Sequence, residues 1–103
     1  MSNKRIAVFI YGDRDINTYP SVTNTIRLLV ESGYLVDVFL PLMMKTSLNI
    51  QNTNFIVVSK QHTSHYVTNT IDYIHNNTQY DFIFSYTIEG LIISYLINLF
   101  PIN

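Results

Sequence analysis

Two groups of side chains that could bind a ligand each follow an apolar run of the sequence. The first group is Gly12, Asp13 and Arg14, and the second is Tyr86, Thr87 and Glu89. A guanidinium such as that of Arg14 binds anionic groups, and hydroxyls and carboxylates hydrogen-bond to polar ligands. The competing interpretation is a solvated loop together with a carboxylate that stabilises the start of a helix. Residue types alone leave both interpretations open.

The remaining motifs favour neither a metal nor a nucleotide cofactor. His62 and His65 lie three residues apart without a third ligand, which is typical of surface residues near a helix start. No G-x-G-x-x-G or Walker sequence follows an apolar run, and no serine lies on a glycine-flanked turn. We therefore predict no catalytic residue, no metal site and no cofactor.

Seven elements alternate along the chain and would position the two groups. Apolar runs predict strands at residues 6–11, 34–40, 55–58 and 80–86. Helical spacing predicts helices at residues 21–32, within 63–76, and from 87 or 88 to 100, with a short helical turn at 42–45. Ser21 is the predicted N-cap of the first helix, and Gly33 suits the left-handed residue that follows it. Pro41 is expected to stop the second strand.

This order of elements predicts an α/β fold with an open parallel sheet. We expect a Rossmann-like three-layer α/β/α arrangement with strand order 3-2-1-4, and residues 1–103 form one such domain. The strand order reverses between strands one and four, and ligands bind beyond the carboxyl ends of the strands at such a point. The two ligand-binding groups would then face each other across a crevice.

Composition excludes several classes of protein. Hydrophobic residues make up 48% of the 103 residues and charged residues 13%, which indicates a globular chain. A net charge of −1 gives no basic field for nucleic acid. The apolar stretch from Leu91 to Phe100 is well short of the roughly 20 residues that span a bilayer, and no secretion signal precedes the first strand. We predict a cytoplasmic chain without a nucleic-acid partner, and a position at a membrane surface stays open.

The last helix is apolar nearly all round, from Leu91 to Phe100. A helix of this kind expects cover on more than one side. Either the chain is the first part of a longer domain, or a partner covers this surface. The alternative is a complete small domain whose last helix lies flat on its sheet.

Three segments resemble the start of a GT-B-fold glycosyltransferase, of the group related to family 4 of the retaining enzymes. The first is the opening strand, RIAVFI at residues 5–10. The second is LLVESGYLVDV at residues 28–38, which is similar to the family's "L…G-H-x-V-x-V" join of helix and strand. The third is YDFIFSY at residues 80–86 followed by EGLI at 89–92, which is similar to "D-x-I-x-x-H…G-L".

The resemblance implies the acceptor-side part of an enzyme that transfers a sugar from a nucleotide-sugar donor to a sugar or lipid-linked acceptor. In the family, a second Rossmann-like domain binds the donor and carries the paired glutamates, so this chain alone would be inactive. Arg14 would bind an anionic group of the acceptor, and Asp13 or Asp15 and Glu89 its hydroxyls. Two features differ from the family's pattern. The loop after the first strand has one glycine instead of a pair, and Tyr86 stands where a histidine is frequent.

A second hypothesis needs no enzyme. The chain could be a small Rossmann-like or flavodoxin-like module that binds a partner or oligomerises through the apolar surface from Leu91 to Phe100. The two hypotheses differ in what covers that surface, which is a missing domain in the first and another protein or a second copy in the second.

Overall fold

The chain forms a four-stranded parallel sheet with helices on both of its faces. The structure is a computed structural model that describes residues 4–12, 14–41, 44, 48–59, 63–76 and 80–99. The elements are β1 (Arg5–Phe9), a 3₁₀ turn (Ile16–Thr18), α1 (Pro20–Glu31), β2 (Leu35–Pro41), β3 (Thr53–Ser59), α2 (Thr63–Asn76), β4 (Phe82–Ser85) and α3 (Ile88–Leu99). The sheet order is β3-β2-β1-β4 with every neighbouring pair parallel, which confirms the predicted α/β class and strand order.

The strand β1 lies inside the sheet because its apolar residues are buried on both faces. Ile6 and Val8 face α1, in one core that also contains Ile26. Ala7 and Phe9 face the opposite side, in a second core to which α2 and α3 contribute. A strand that reads as a nearly continuous apolar run is therefore covered by helices on each side, as parallel sheets require.

The start of α1 differs from its prediction. The helix begins at Pro20, and Tyr19 is its N-cap without a side-chain hydrogen bond, so the assignment of Ser21 as N-cap was wrong. Proline suits the first helical position because its fixed φ is already helical and its missing N–H would have no partner there. At the other end Gly33 has a φ of +96°, which confirms the predicted left-handed residue.

The observed strand boundaries differ from the predicted ones where side-chain hydrogen bonds or bulges interrupt the ladder of backbone hydrogen bonds. Pro41 is the last residue of β2 and lies opposite Ser59 of β3. It therefore belongs to the strand, which continues one residue beyond the predicted end. A register shift beside Pro41 skips Val58, whose carbonyl oxygen accepts a 2.7 Å hydrogen bond from the Asn69 side chain of α2. The predicted turn at residues 42–45 and the end of the last helix at Phe100 lie outside the described residues, apart from Met44.

A buried polar cluster joins the strands at their amino ends. The carboxylate of Asp37, which is 4% exposed in β2, accepts hydrogen bonds from Asn54 of β3 at 2.9 Å and from the Tyr80 hydroxyl at 2.6 Å. Its ion pair with Arg5 is longer, at 3.4 Å. Burial, and then the hydrogen bond to Asp37, raises the pKa of the Tyr80 phenol far above its ordinary value. The cluster satisfies a buried charge, and it shortens β4, because Asp81 binds the Arg5 N–H through its side chain.

Candidate functional site

The strands β1 and β4 end side by side at the place where the sequence predicts a crevice. Gly12 and Arg14 follow β1, whereas Tyr86 and Thr87 follow β4, and the Tyr86 N–H donates to the Phe9 carbonyl at 3.0 Å. These four residues therefore lie at the same end of the sheet. Asp13 lies outside the described residues, and Glu89 lies in the first turn of α3 with a side chain that the structure does not describe.

Gly12 makes room for protein atoms and not for a ligand. A Cβ at this position would lie 2.7 Å from the Tyr19 hydroxyl oxygen and 3.3 Å from the sulfur of Met44. The absence of a side chain lets the Tyr19 phenol pack against the loop backbone. The space beside Gly12 is thus filled by the Tyr19 side chain.

The helix start beside this loop has few donors left for an anion. Pro20 supplies no N–H, and the N–H groups of Val22 and Thr23 both donate to the Tyr19 carbonyl, at 3.0 and 3.3 Å. Anion sites at helix starts depend on free first-turn N–H groups. The geometry therefore does not favour a phosphate cradle at α1.

The two charged residues that the structure describes in this loop behave differently. The side chain of Asp15 accepts a hydrogen bond from the Asn17 N–H at 2.9 Å and caps the 3₁₀ turn. Its carbonyl accepts from the Thr18 hydroxyl at 2.7 Å. Arg14 is exposed at the surface of the loop. Of the two, Arg14 is the residue that is available to an anionic ligand.

Tyr86 closes the crevice on the side of α1. Its ring stacks on Phe84 with centroids 5.2 Å apart, and its hydroxyl lies 3.4 Å from the Ser21 carbonyl oxygen, a long hydrogen bond. The side chain therefore bridges β4 and the first turn of α1. Tyrosine at this position acts mainly as a packing residue.

Thr87 presents a buried hydroxyl at the start of α3. Its Oγ1 is inaccessible to solvent and has no hydrogen-bond partner. The Thr87 carbonyl accepts from the Leu91 N–H at 3.1 Å, which begins the helix. An unsatisfied buried hydroxyl is uncommon, but a ligand could reach this one only if neighbouring atoms moved, because the oxygen has no exposed surface.

Gly90 sets the close approach of α3 to the sheet, a role that the sequence did not reveal. A Cβ there would lie 2.9 Å from the Phe9 Cβ, 3.2 Å from the Phe9 carbonyl oxygen and 3.2 Å from the Ser85 Cβ. The first turn of α3 therefore lies over the gap between β1 and β4. A glycine inside a helix often marks such an approach, so the glycine at position 90 was the sequence signal from which this contact could have been predicted.

A second candidate site is apolar and is formed by the edge strand β4 and the helix α3. Its six side chains are 38% to 64% exposed, although all are large and apolar, and we call them the β4–α3 face. They are Phe82, Ile83 and Phe84 of β4 and Leu91, Ile92 and Tyr95 of α3. The sequence predicted the apolar surface of the last helix but not that of the fourth strand. The predicted order already placed β4 at an edge, so its apolar run could have been assigned to the same surface.

Comparison with known proteins gives no information on either site. No family model, no curated protein and no solved structure matches the chain. Within the described part of the chain, no cluster of three or more histidine or acidic side chains could hold a metal ion. In the same residues, every helix is too short or too polar to traverse a bilayer.

Proposed function

We propose that this chain is a non-catalytic binding and assembly module of Rossmann-like fold, whose β4–α3 face is covered by another polypeptide. One observation carries the proposal, namely that six large apolar side chains are exposed on an edge strand and its following helix. Large exposed apolar surfaces on a soluble domain often mark the site at which another molecule binds. An edge strand adds unpaired backbone groups that favour another strand.

Light scattering and dye binding on the purified chain test this proposal. We expect either self-association or, for a monomer, strong fluorescence of an apolar dye such as anilinonaphthalene sulfonate. Leu91→Lys should reduce whichever is observed, because Leu91 is 61% exposed on the face. Leu28→Lys is the matched control, since Leu28 is 62% exposed on α1 and does not belong to the β4–α3 face. A stable monomer that binds no dye would contradict the proposal.

A second candidate function is the acceptor-side part of a glycosyltransferase, with a further Rossmann-like domain binding the nucleotide-sugar. Its support is the point at which the strand order reverses, between β1 and β4, with the exposed Arg14 after β1 and Thr87 after β4. Ligands bind at such points in open α/β sheets. The acceptor would be a sugar or a lipid-linked sugar, and the lipid-linked case would hold the enzyme at a membrane surface.

Titration of the chain with ligands, followed by NMR, tests this second function. A sugar should shift the amide signals of Gly12, Tyr86 and Thr87, whereas a nucleotide should not, because Pro20 has no N–H and the Val22 and Thr23 N–H groups already donate to the Tyr19 carbonyl. We expect no turnover of a nucleotide-sugar by the chain alone. Shifts spread evenly over the domain, or none at all, would count against a sugar site in the crevice.

A further inference from the structure

We infer that the polypeptide covering the β4–α3 face is a second copy of this chain, which joins through antiparallel pairing of the two β4 strands. The inference rests on the proposed assembly function and names its partner. The result would be a continuous eight-stranded sheet with a two-fold axis at Phe84. Three independent features of the face agree with this arrangement.

The backbone of β4 has its free hydrogen-bonding groups at the required positions. Phe9 lies opposite Ser85, and the Tyr86 N–H donates to the Phe9 carbonyl. Backbone groups of successive residues in a strand point to alternate sides, so Phe82, Phe84 and Tyr86 face β1, and Ile83 and Ser85 face outward. With the axis at Phe84, Ile83 of each copy lies opposite Ser85 of the other. Each such pair exchanges both of its hydrogen bonds.

The side chains of β4 match their own reversed copy. Phe82 and Phe84 lie opposite Ile6 and Val8, so they share the face of the sheet that carries α1, as does Tyr86 two residues further on. In the antiparallel pair, Phe84 meets Phe84 of the second copy and Phe82 meets Tyr86. Aromatic residues directly opposite each other stabilise antiparallel strands. An unrelated strand would satisfy the backbone but would match this aromatic stripe only by coincidence.

The position of α3 lets the two helices pack on the other face. Gly90 brings the start of α3 over the gap between β1 and β4, near Phe9 and Ser85. Because neighbouring strands are about 4.8 Å apart, each helix would lie about 5 Å from the axis, and the two helices about 10 Å from each other. Packed helices have this separation. Leu91, Ile92 and Tyr95 are the exposed apolar residues of α3 that would fill the space between them.

The size of the face is sufficient for a specific dimer. From their exposed fractions, the six side chains present on the order of 600 Å² in each copy, with the aromatic residues contributing most. Two copies would then bury about 1,200 Å², the lower end of the range for specific interfaces. The Lys4 ammonium lies 5.6 Å from the centre of the Phe82 ring. The two-fold axis would place the lysines of the two copies at opposite ends of the paired strands, so they would not repel each other.

A cysteine at the axis tests the inference directly, since the chain has no cysteine of its own. In the dimer the Cα atoms of the two Phe84 residues would be about 4.5 Å apart, a separation that a disulfide bridges. Phe84→Cys should therefore form a covalent dimer under mild oxidation. Val57→Cys, at an exposed position of β3 on the opposite edge, is the matched control and should stay largely uncrosslinked.

Light scattering on the wild type and on two lysine variants completes the test without depending on the cysteine. We expect a wild-type dimer, a rise of at least roughly tenfold in the dissociation constant for Leu91→Lys, and little change for Leu28→Lys. A wild-type monomer that binds an apolar dye at the face would overturn the second copy as partner while leaving the assembly function in place. A monomer that binds no dye would overturn both.

Discussion

The two edges of the sheet differ in what they show to solvent. At the β3 edge, Asn69 of α2 donates to the Val58 carbonyl at the register shift, and Val57 is the one large apolar side chain exposed among the described residues of the strand. At the β4 edge, Phe82, Ile83 and Phe84 are all exposed. Bulges and polar neighbours protect sheet edges from pairing. The β3 edge is therefore partly protected, whereas the β4 edge exposes three large apolar side chains, which is the difference on which the proposed pairing depends.

Lysine substitutions at the two edges should give the largest difference. Ile83 and Val57 have similar exposure, 38% and 41%. Ile83→Lys would place one lysine from each copy between the paired β4 strands. We expect this to raise the dissociation constant of the dimer roughly a hundredfold. Val57→Lys should leave association unchanged. Sedimentation velocity over a range of concentrations measures both, and equal effects at the two edges would remove the distinction between them.

Gly90 should affect stability, because it allows the close approach of α3 to the sheet. Gly90→Ala places a Cβ 2.9 Å from the Phe9 Cβ, so α3 must move away from the sheet. We expect a loss of about 1–2 kcal/mol in unfolding free energy, because overpacking exceeds the helix propensity gained from alanine. Denaturant unfolding measures the loss.

Gly12→Ala is the control for that experiment. Its Cβ would also be close to another atom, at 2.7 Å, but that atom is the Tyr19 hydroxyl at the end of a side chain that can turn away. We expect a loss below about 1 kcal/mol and no change in association. A larger loss for Gly12→Ala than for Gly90→Ala would show that α3 tolerates displacement from β1.

Removal of the polar protection at the β3 edge should have a smaller effect. Asn69→Ala leaves the Val58 carbonyl without its 2.7 Å hydrogen bond, and we expect a loss of about 1 kcal/mol in thermal or denaturant unfolding. The loss should come without a change in dimer affinity, since β3 lies far from the proposed interface. A variant that begins to form higher oligomers would show that Asn69 also blocks pairing at β3.

The smallest effect concerns the polar cluster, which lies at neither edge. The pKa of Tyr80 is raised in the fold, first by burial and then by Asp37, so its contribution to stability is complete below about pH 10. Above that pH an unfolded tyrosine ionises while Tyr80 keeps its proton, and stability should fall as the pH rises. Tyr80→Phe should flatten this alkaline slope in pH-dependent unfolding. An unchanged slope would mean that the Tyr80 proton is not held by the cluster.

The sequence predicted the architecture because apolar periodicity reports burial directly. Residues 6–9 read as a strand that is buried on both faces, and they are. The short gap between Gly33 and the second apolar run predicted a β-α-β unit, and β2 does pair with β1 in parallel. The boundaries were less accurate, because side chains from distant segments decide them. Tyr80 and Asp81 were predicted within the fourth strand but lie outside β4. The Tyr80 hydroxyl donates to Asp37, and the Asp81 side chain accepts from the Arg5 N–H.

The site was less predictable, since its properties depend on which atoms fill it. The sequence brought Gly12 and Arg14 to the same crevice as Tyr86 and Thr87, and the structure confirms that all four lie at the ends of β1 and β4. Nothing in the sequence indicated that Tyr19 packs against Gly12 or that the Thr87 hydroxyl has no partner. Both depend on contacts across loops whose paths no local pattern specifies.

The exchange rate of one backbone amide tests the central claim most directly. The Ile83 N–H faces outward from β4, whereas that of Phe84 faces β1, so the second serves as an internal reference within the same strand. If a second copy pairs with this edge, the Ile83 amide will exchange slowly at high protein concentration and faster on dilution. A fast Ile83 amide at every concentration, beside a protected Phe84 amide, would contradict the account.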